Sequence, residues 1–266
     1  MPRPNPDELL ELALTVACDA AALLRERRLA ARSEVTTKSS STDMVSDVDR
    51  DAERLVVEAL LEARPDDGIL GEEGAEQTGT SGVRWVVDPL DGTTNYLYGL
   101  PVFAVSVAAE LDGSAVVGVV VDPSQGETFA AVRGAGATLD GTPIHANDID
   151  DLAQALVGTG FAYDPRRRGL QAAVLAPVLP AVRDIRRSGA AAVDLCWVAC
   201  GRLDAFYEKG LAPWDHAAGA LIASEAGAVT DDLHGGPVSG DFAFASAPGI
   251  SDPLRALLTR AGAFEA

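Results

Sequence analysis

The sequence is poor in cysteine, and its three cysteines lack the spacing of a structural framework. Cys18, Cys196 and Cys200 make an odd count with no C-x-x-C pair, which argues against a disulfide framework and against a zinc knuckle. Cys196 and Cys200 lie four residues apart on a predicted helix, so we predict that they are buried as small hydrophobic side chains.

Positive charge is also scarce. The chain carries 21 lysines and arginines against 40 acids, a formal net charge of -19, and its pI is near 4.4. Because such a surface repels nucleic acid phosphates and anionic lipid, we expect neither nucleic acid nor a membrane as a partner. An anionic substrate would be repelled too unless bound cations reverse the local field, which favours metal ions at the site of such a substrate.

Long apolar runs are missing as well. None reaches the roughly 18 residues that a membrane-spanning helix needs, and the N-terminal region has no basic stretch followed by an apolar core. We therefore expect a cytoplasmic protein. The 266 residues are enough for one large domain, or for two closely packed halves with a substantial core.

The hydrophobic pattern predicts an α+β protein with layered sheets and helices. Predicted helices are 7–29, 46–63, 168–179, 190–200, 215–226 and 252–261. Predicted strands are 34–38, 68–71, 83–87, 103–110, 115–121, 128–132, 155–160, 203–207 and 242–247, with a hairpin turn at Asp112-Gly113. We expect a single domain over 1–266, in which the N-terminal half ends and the C-terminal half begins near residue 146.

Acidic side chains come in three short segments, 71–73, 88–94 and 213–215. The first two segments follow short apolar runs, which places their carboxylates at strand ends where a sheet can bring them together. Carboxylates held close together repel one another and cannot all stay ionised without a compensating cation. Oxygen-only ligand sets suit hard divalent ions such as Mg²⁺, so we predict a metal-dependent enzyme.

The segment 88–95, D-P-L-D-G-T-T-N, is the most specific of these signals. Pro89 stiffens the turn, so that both Asp88 and Asp91 can face one cavity and the Leu90 carbonyl becomes a further oxygen ligand. Gly92 lets the backbone come close to a ligand. Thr93 would open a short helix whose N–H groups can hold a phosphate oxygen.

The remaining candidates are less specific alone. Of the adjacent acids Glu72 and Glu73, which point to opposite faces of a strand, we choose Glu72 for the cluster. Asp215 suits the N-cap position of the helix that follows, a role compatible with metal binding, and His216 is expected to be a surface or neighbouring residue. A capping box at Ser46 is expected to begin the second helix.

Two further segments complete the candidates. Asp49 could accept a hydrogen bond from the Thr93 hydroxyl and so align that hydroxyl to take a proton from a metal-bound water. Lys38 could complement phosphate or neighbouring acids, although a solvated surface lysine is the simpler interpretation. The small residues of 186–192, R-R-S-G-A-A-A, leave room for a polyol close to the backbone, or serve helix packing alone.

Taken together, the motifs resemble the inositol monophosphatase family. The matching segments, in family order, are TKSSSTDMVSDVD (37–49), GILGEE (68–73), WVVDPLDGTTN (85–95), SGAAAVDLC (188–196), GRLDAFYE (201–208) and PWDHAAGA (213–220). The resemblance implies a layered α-β-α-β-α sandwich of the inositol monophosphatase and fructose-1,6-bisphosphatase type. It also implies a homodimer that hydrolyses small phosphomonoesters with Mg²⁺, accepts Mn²⁺ as a substitute, and is sensitive to Li⁺.

The same resemblance assigns roles to residues of this chain. Glu72, Asp88 and the Leu90 carbonyl would bind one Mg²⁺, Asp88, Asp91 and Asp215 a second, and Glu72 would help to hold a weaker third through water. The substrate would contact these ligands and a further set: Gly92, Thr93, Gly189, Ala190, Ala191 and Glu208. The resemblance implies that Glu72, Thr93 and Asp49 are catalytic, the last two as the proton-accepting pair. Ser46 stands where the family often has threonine, and Ala190 where the family often has serine or threonine.

The substrate stays open at this level. The leading hypothesis is hydrolysis of inositol-1-phosphate, and histidinol phosphate, fructose-1,6-bisphosphate or a 3′-phosphoadenosine nucleotide are alternatives with the same chemistry. Glu208 can accept hydrogen bonds from a polyol or pair with a cationic amine, which makes histidinol phosphate a serious alternative. A regulatory binding partner without catalysis is the hypothesis from a different class.

Overall fold

Two long helices cover the outer face of the first sheet in the computed structural model. The model describes residues 4–33 and 41–266, with side chains for 4–28 and 47–266, so the predicted strand 34–38 and Lys38 lie outside the described residues. Helix α1 spans Pro6–Ser33 and α2 spans Ser41–Ala63. The predicted start of the second helix at Ser46, with its capping box, is wrong because the helix already begins five residues earlier.

The first sheet has eight strands in the order β2-β1-β3-β4-β5-β6-β7-β8. β1 pairs with β3 in parallel and every other neighbouring pair is antiparallel. The hairpin turn predicted between β4 and β5 is confirmed, since Asp112 and Gly113 have φ of 52° and 76°, as a type I′ turn requires. The strands are β1 (Gly68–Gly71), β2 (Glu76–Gln77), β3 (Val83–Asp91), β4 (Ala104–Leu111), β5 (Ser114–Asp122), β6 (Glu127–Val132), β7 (Gly136–Leu139) and β8 (Thr142–Pro143), and a short helix α3 (Thr93–Tyr98) follows β3.

The second sheet has five strands in the order β10-β9-β11-β13-β12. Its strands are β9 (Leu156–Thr159), β10 (Asp184–Arg186), β11 (Ala205–Glu208), β12 (Val229–Asp231) and β13 (Ala243–Ser246). Two helices cover its outer face, α4 (Pro165–Val178) and α7 (Ser251–Arg260). β2, β7, β8, β10 and β12 were not predicted, because strands of two to four residues carry too little alternation to be recognised.

A middle layer of two helices, α5 (Ala191–Ala199) and α6 (Pro213–Glu225), packs between the sheets. Strand residues alternate accordingly: Val105 and Val107 of β4 face α1 and α2, whereas Ala104 and Ala108 face the middle layer. At Gly118 a Cβ atom would lie 2.8 Å from the carbonyl oxygen of Ala218, so glycine is needed for α6 to approach the sheet this closely.

The layers follow one another as α-β-α-β-α, which confirms the predicted fold class. The eight-stranded sheet is built from residues before 146 and the five-stranded sheet from residues after it, although the division of one domain into two halves stays a prediction. Within the described residues, no helix combines the length and the apolar character needed to cross a membrane.

Candidate active site

Asp88 and Asp91 lie at an irregularity near the end of β3. The pairing of β3 with β4 shifts between Asp88, which faces Ser106, and Asp91, which faces Ala104. The strand was predicted to stop at Val87, but it continues through this bulge to Asp91. The Leu90 N–H donates to Asp88 Oδ1 at 2.9 Å, which fixes the turn. Both Asp88 and Asp91 are buried.

Glu72 follows β1 and meets Asp88 across the gap between the two strands. Its N–H donates to the Val87 carbonyl at 3.2 Å, and its side chain shares a hydrogen bond with that of Asp88. Solvent reaches Glu72, yet partial burial still raises the pKa of this carboxyl, and repulsion from Asp215 adds to the rise. Burial, followed by repulsion from Glu72, raises the pKa of Asp88 well above its usual range.

Asp91 is bound by the first turn of α5. Its Oδ2 accepts a hydrogen bond from the Ala192 N–H at 2.7 Å, and its Oδ1 accepts one from the Ala191 N–H at 3.2 Å. These donors are unpaired within the helix and favour negative charge. Burial and then repulsion from Asp215 nevertheless raise the pKa of Asp91 well above its usual range, so the two N–H groups do not fully offset the cost of enclosing this charge.

Asp215 enters from the start of α6. The prediction that it caps this helix is wrong, because α6 begins at Pro213 and Ala212 occupies the N-cap. Asp215 Oδ2 instead accepts the Ala212 N–H at 2.6 Å, and burial raises the pKa of its carboxyl. Of the two positions expected for His216, on the surface or beside the site, the surface one is wrong: the ring is buried, and burial lowers its pKa to about 4.

Asp49 and Thr93 lie at the edge of this group of acids, but they are not hydrogen-bonded to each other in the described structure. The Thr93 hydroxyl donates to the Leu90 carbonyl at 3.0 Å, while Asp49 Oδ1 is buried without a hydrogen-bond partner among the described residues. Burial, followed by repulsion from Glu73 and Glu72, raises the pKa of Asp49 to about 8. The Leu90 carbonyl keeps a second lone pair for another ligand.

The segment around Gly189 lies against the end of β3. Gly189 has a φ of +89°, a conformation that other residues rarely adopt, and Ala190 and Ala191 lead into α5 with their side chains buried. Glu208, at the end of β11, completes this side. Burial and then repulsion from Asp194 raise the pKa of Glu208 to about 8, whereas Arg187 lowers it.

Residues 5–260 match the model of the inositol monophosphatase family. The chain belongs to this family. An inositol-1-monophosphatase of Mycobacterium leprae is 46% identical over 98% of this chain and 96% of its own length. The solved structure of Mycobacterium tuberculosis SuhB, 43% identical, superposes with a TM-score of 0.86 and covers 98% of this chain and 100% of that one. A Nus factor SuhB of Vibrio cholerae is 40% identical over 83% of this chain and 84% of its own.

Membership of the inositol monophosphatase family makes the chain an enzyme, a metal-dependent phosphatase. The donor chemistry fits a divalent cation, because the strongest electrostatic neighbours of Glu72, Asp88 and Asp91 among the described residues are other acids. Two of these acids share a hydrogen bond where a cation would otherwise separate their charges. In the described part of the chain, no three acidic, imidazole or thiol groups are already arranged at metal-binding distances, so the carboxylates would have to reorient around an ion.

Sequence reasoning missed three buried polar residues beside this site in the inositol monophosphatase fold. Glu53 accepts hydrogen bonds from the N–H groups of Glu73 and Ala75. Asp194 accepts one from the Ser188 hydroxyl at 2.5 Å, and Asn95 donates to two backbone carbonyls. Asn95 and Asp194 lie inside the motif segments. Each is a polar residue in a motif with no predicted role as a ligand or a cap, and this could have marked both as supporting residues. Nothing in the sequence around Glu53 sets it apart from other helix acids.

Proposed function

We propose that the protein hydrolyses inositol-1-phosphate to inositol and inorganic phosphate. The observation that carries the proposal is the convergence of Glu72, Asp88, Asp91 and Asp215 from three separate chain segments, with Asp91 held by the start of α5. Such a set of acids, of which Asp88 and Asp91 are buried, is costly to maintain. Divalent cations bound by these acids would offset that cost, and a phosphate could then bind to the cations.

The ligand roles in this proposal are as follows. Glu72, Asp88 and the Leu90 carbonyl would hold one Mg²⁺, Asp88, Asp91 and Asp215 a second, and Glu72 a weaker third through water. When bound, such ions offset the charge on the phosphoryl oxygens and lower the pKa of water. Mn²⁺ would substitute, and Li⁺ would inhibit, as the family resemblance implies.

The residues of the chain would then bind and orient the ester. The N–H groups of Gly92 and Thr93 lie at the start of α3 and would receive the phosphate oxygens. Thr93 donates its hydrogen to the Leu90 carbonyl in this structure, so its hydroxyl would have to turn toward Asp49 to pass that hydrogen on while it takes a proton from water. Asp49, whose Oδ1 has no hydrogen-bond partner among the described residues, would be the final proton acceptor in its ionised form.

Glu208 favours a polyol over a cationic amine as the alcohol. Its raised pKa of about 8 keeps the carboxyl protonated near neutral pH, and a neutral carboxyl both donates and accepts hydrogen bonds with hydroxyl groups. The contacts with Gly189, Ala190 and Ala191 would come from the backbone.

A substrate panel tests the proposal. Phosphate release would be measured from inositol-1-phosphate, histidinol phosphate, fructose-1,6-bisphosphate and a 3′-phosphoadenosine nucleotide, with and without Mg²⁺. We expect Mg²⁺-dependent turnover with the highest kcat/KM for inositol-1-phosphate. A higher kcat/KM for another ester would contradict the substrate, and the absence of turnover on every ester by a folded protein would contradict the enzymatic function.

A regulatory binding role is the second candidate. It is favoured by the relative from Vibrio cholerae named Nus factor SuhB, and the same panel separates it from catalysis. We further propose a cytoplasmic homodimer, in line with the family resemblance. Light scattering after size-exclusion chromatography would check the dimer, since a monomeric mass at micromolar concentration would contradict it.

A further inference from the structure

Asn95 bridges the two parts of the site that would bind phosphate and alcohol. We propose that Asn95 is a positioning residue that sets the distance between the phosphate-binding turn, residues 91–95, and the alcohol-binding segment, residues 188–192. The inference rests on the proposed function, because that function gives these two stretches their roles. Asn95 is assigned no contact with the substrate itself.

Both hydrogens of the Asn95 side-chain amide are used in this bridge. Its Nδ2 donates one hydrogen to the Val102 carbonyl and one to the Ser188 carbonyl, each at 2.8 Å. Only 4% of Asn95 is exposed, so water cannot replace these bonds easily. Ser188 is 93 residues away in sequence, and its carbonyl belongs to no helix or strand.

Other contacts join the same two stretches in parallel with Asn95. Asp91 accepts the N–H groups of Ala191 and Ala192. A Cβ atom on Gly92 would come within 3.2 Å of the Ala190 Cβ, which shows that the backbones are almost in contact there. The two stretches therefore meet as one packed unit, in which Asn95 holds the end nearest Ser188.

Ser188 is held from a second direction, which makes the position of its carbonyl well defined. Its hydroxyl donates to Asp194 Oδ2 at 2.5 Å, and its carbonyl accepts from Asn95. Without Asn95, the Ser188 carbonyl would lose its donor while the hydroxyl stayed fixed, and residues 189–191 would be free to rotate about that point. Alcohol binding would weaken, whereas phosphate binding at 91–93 would not.

The test compares Asn95→Ala with a matched variant, Asn147→Ala. Asn147 Nδ2 also donates two bonds of 2.8 Å, to the Gly201 carbonyl and to Asp204 Oδ1, but it lies near the far end of α5. The measurements are KM and kcat for inositol-1-phosphate, the inhibition constant of inorganic phosphate, and amide hydrogen exchange of residues 188–192.

We expect Asn95→Ala to raise KM about tenfold, the equivalent of one lost buried hydrogen bond. The inhibition constant of inorganic phosphate should change by less than about twofold, and hydrogen exchange in 188–192 should accelerate. Asn147→Ala should leave KM and that exchange at the wild-type values. If Asn95→Ala does not fold, Asn95→Ser replaces it in the comparison with Asn147→Ala, because the serine hydroxyl cannot donate to both carbonyls.

Three results would overturn the inference: an unchanged KM, an equal rise in KM and in the phosphate inhibition constant, or the same rise in KM for Asn147→Ala. The last two would reveal general damage instead of lost positioning. Failure of the proposed function is a separate result, because it would appear as the absence of turnover in the wild-type enzyme.

Discussion

Glu53 Oε1 accepts a hydrogen bond of 2.9 Å from the backbone N–H of Glu73. The other oxygen of the same carboxylate accepts the Ala75 N–H at 3.2 Å, so helix α2 holds the turn that follows β1. Asp49 lies one helical turn before Glu53, on the same face of α2. This face therefore carries the proposed proton acceptor and also fixes the turn that carries the proposed ligand Glu72.

Glu53→Gln should weaken metal binding, because an amide has a single acceptor oxygen and would turn its NH₂ group toward one of the two N–H donors. We expect the Mn²⁺ dissociation constant of the substrate-free protein to rise about threefold to tenfold. Electron paramagnetic resonance of free Mn²⁺ would measure it. Glu225→Gln is the matched control, since Glu225 accepts the Gly134 and Gly136 N–H groups in the same way. Equal affinities in the two variants would contradict a role for Glu53 in holding Glu72.

Asp91→Asn should reduce kcat steeply, by about a hundredfold or more, because it removes a charge from the proposed ligand set. The fold should persist, since one amide oxygen still accepts from the start of α5 and the substitution relieves repulsion between Asp91 and Asp215. Turnover would be measured at saturating Mg²⁺ and the fold by circular dichroism. Near-normal turnover under these conditions would show that Asp91 is not a ligand.

Asp67→Ala should cost stability without affecting catalysis. The buried carboxylate accepts hydrogen bonds from Arg64, Ser81 and Trp85, and removing it leaves these donors unpaired, at a cost of about 3 kcal/mol. Asp67 precedes β1, roughly 17 Å along the strand from Glu72, so KM should stay unchanged. Urea unfolding would measure the loss.

The exposed pair of Glu127 and Arg202 provides the control for Asp67. Its arginine is 42% exposed, so Glu127→Gln should cost less than about 1 kcal/mol. A loss for Asp67→Ala that is no larger than this would contradict the importance of the buried network.

Asp194→Asn should change how stability depends on pH. Burial raises the pKa of Asp194 from its ordinary value of 3.8 to about 7, so between these values the folded protein holds a proton that the unfolded chain has lost. The stabilisation is complete below pH 3.8 and is lost as the pH rises to 7, at about 1.4 kcal/mol per pKa unit.

The asparagine variant lacks this proton uptake. The difference in free energy of unfolding, Asp194→Asn minus wild type, should therefore increase from pH 5 to pH 8, by a few kcal/mol in metal-free buffer. Urea unfolding at each pH would measure it. A difference between the two proteins that stays constant with pH would mean that Asp194 is ionised in the folded protein throughout.

The acids at the strand ends could be predicted from sequence because each belongs to a local motif. Glu72 follows an apolar strand, and Asp88 and Asp91 flank a proline that shapes their own turn. The layered fold was equally accessible, since the long helices and central strands have strong periodicity. These features depend on residues within a few positions of one another.

The supporting contacts could not be predicted, because they join distant parts of the chain. Asn95 and Ser188 are neighbours only after both sheets have formed. Asp215 looked like a helix cap because a proline and a tryptophan before it hide the true start of α6 at Pro213. Residue spacing alone does not show that the Thr93 hydroxyl donates to the Leu90 carbonyl.

The close approach of α6 to β5 at Gly118 has a consequence for synthesis of the chain. The apolar inner face of the eight-stranded sheet is complete by residue 143, but the helices that cover it are residues 191–225. Until those helices leave the ribosome, the nascent chain exposes the apolar face of this sheet to solvent. Such a surface is prone to aggregation and is the kind that chaperones bind.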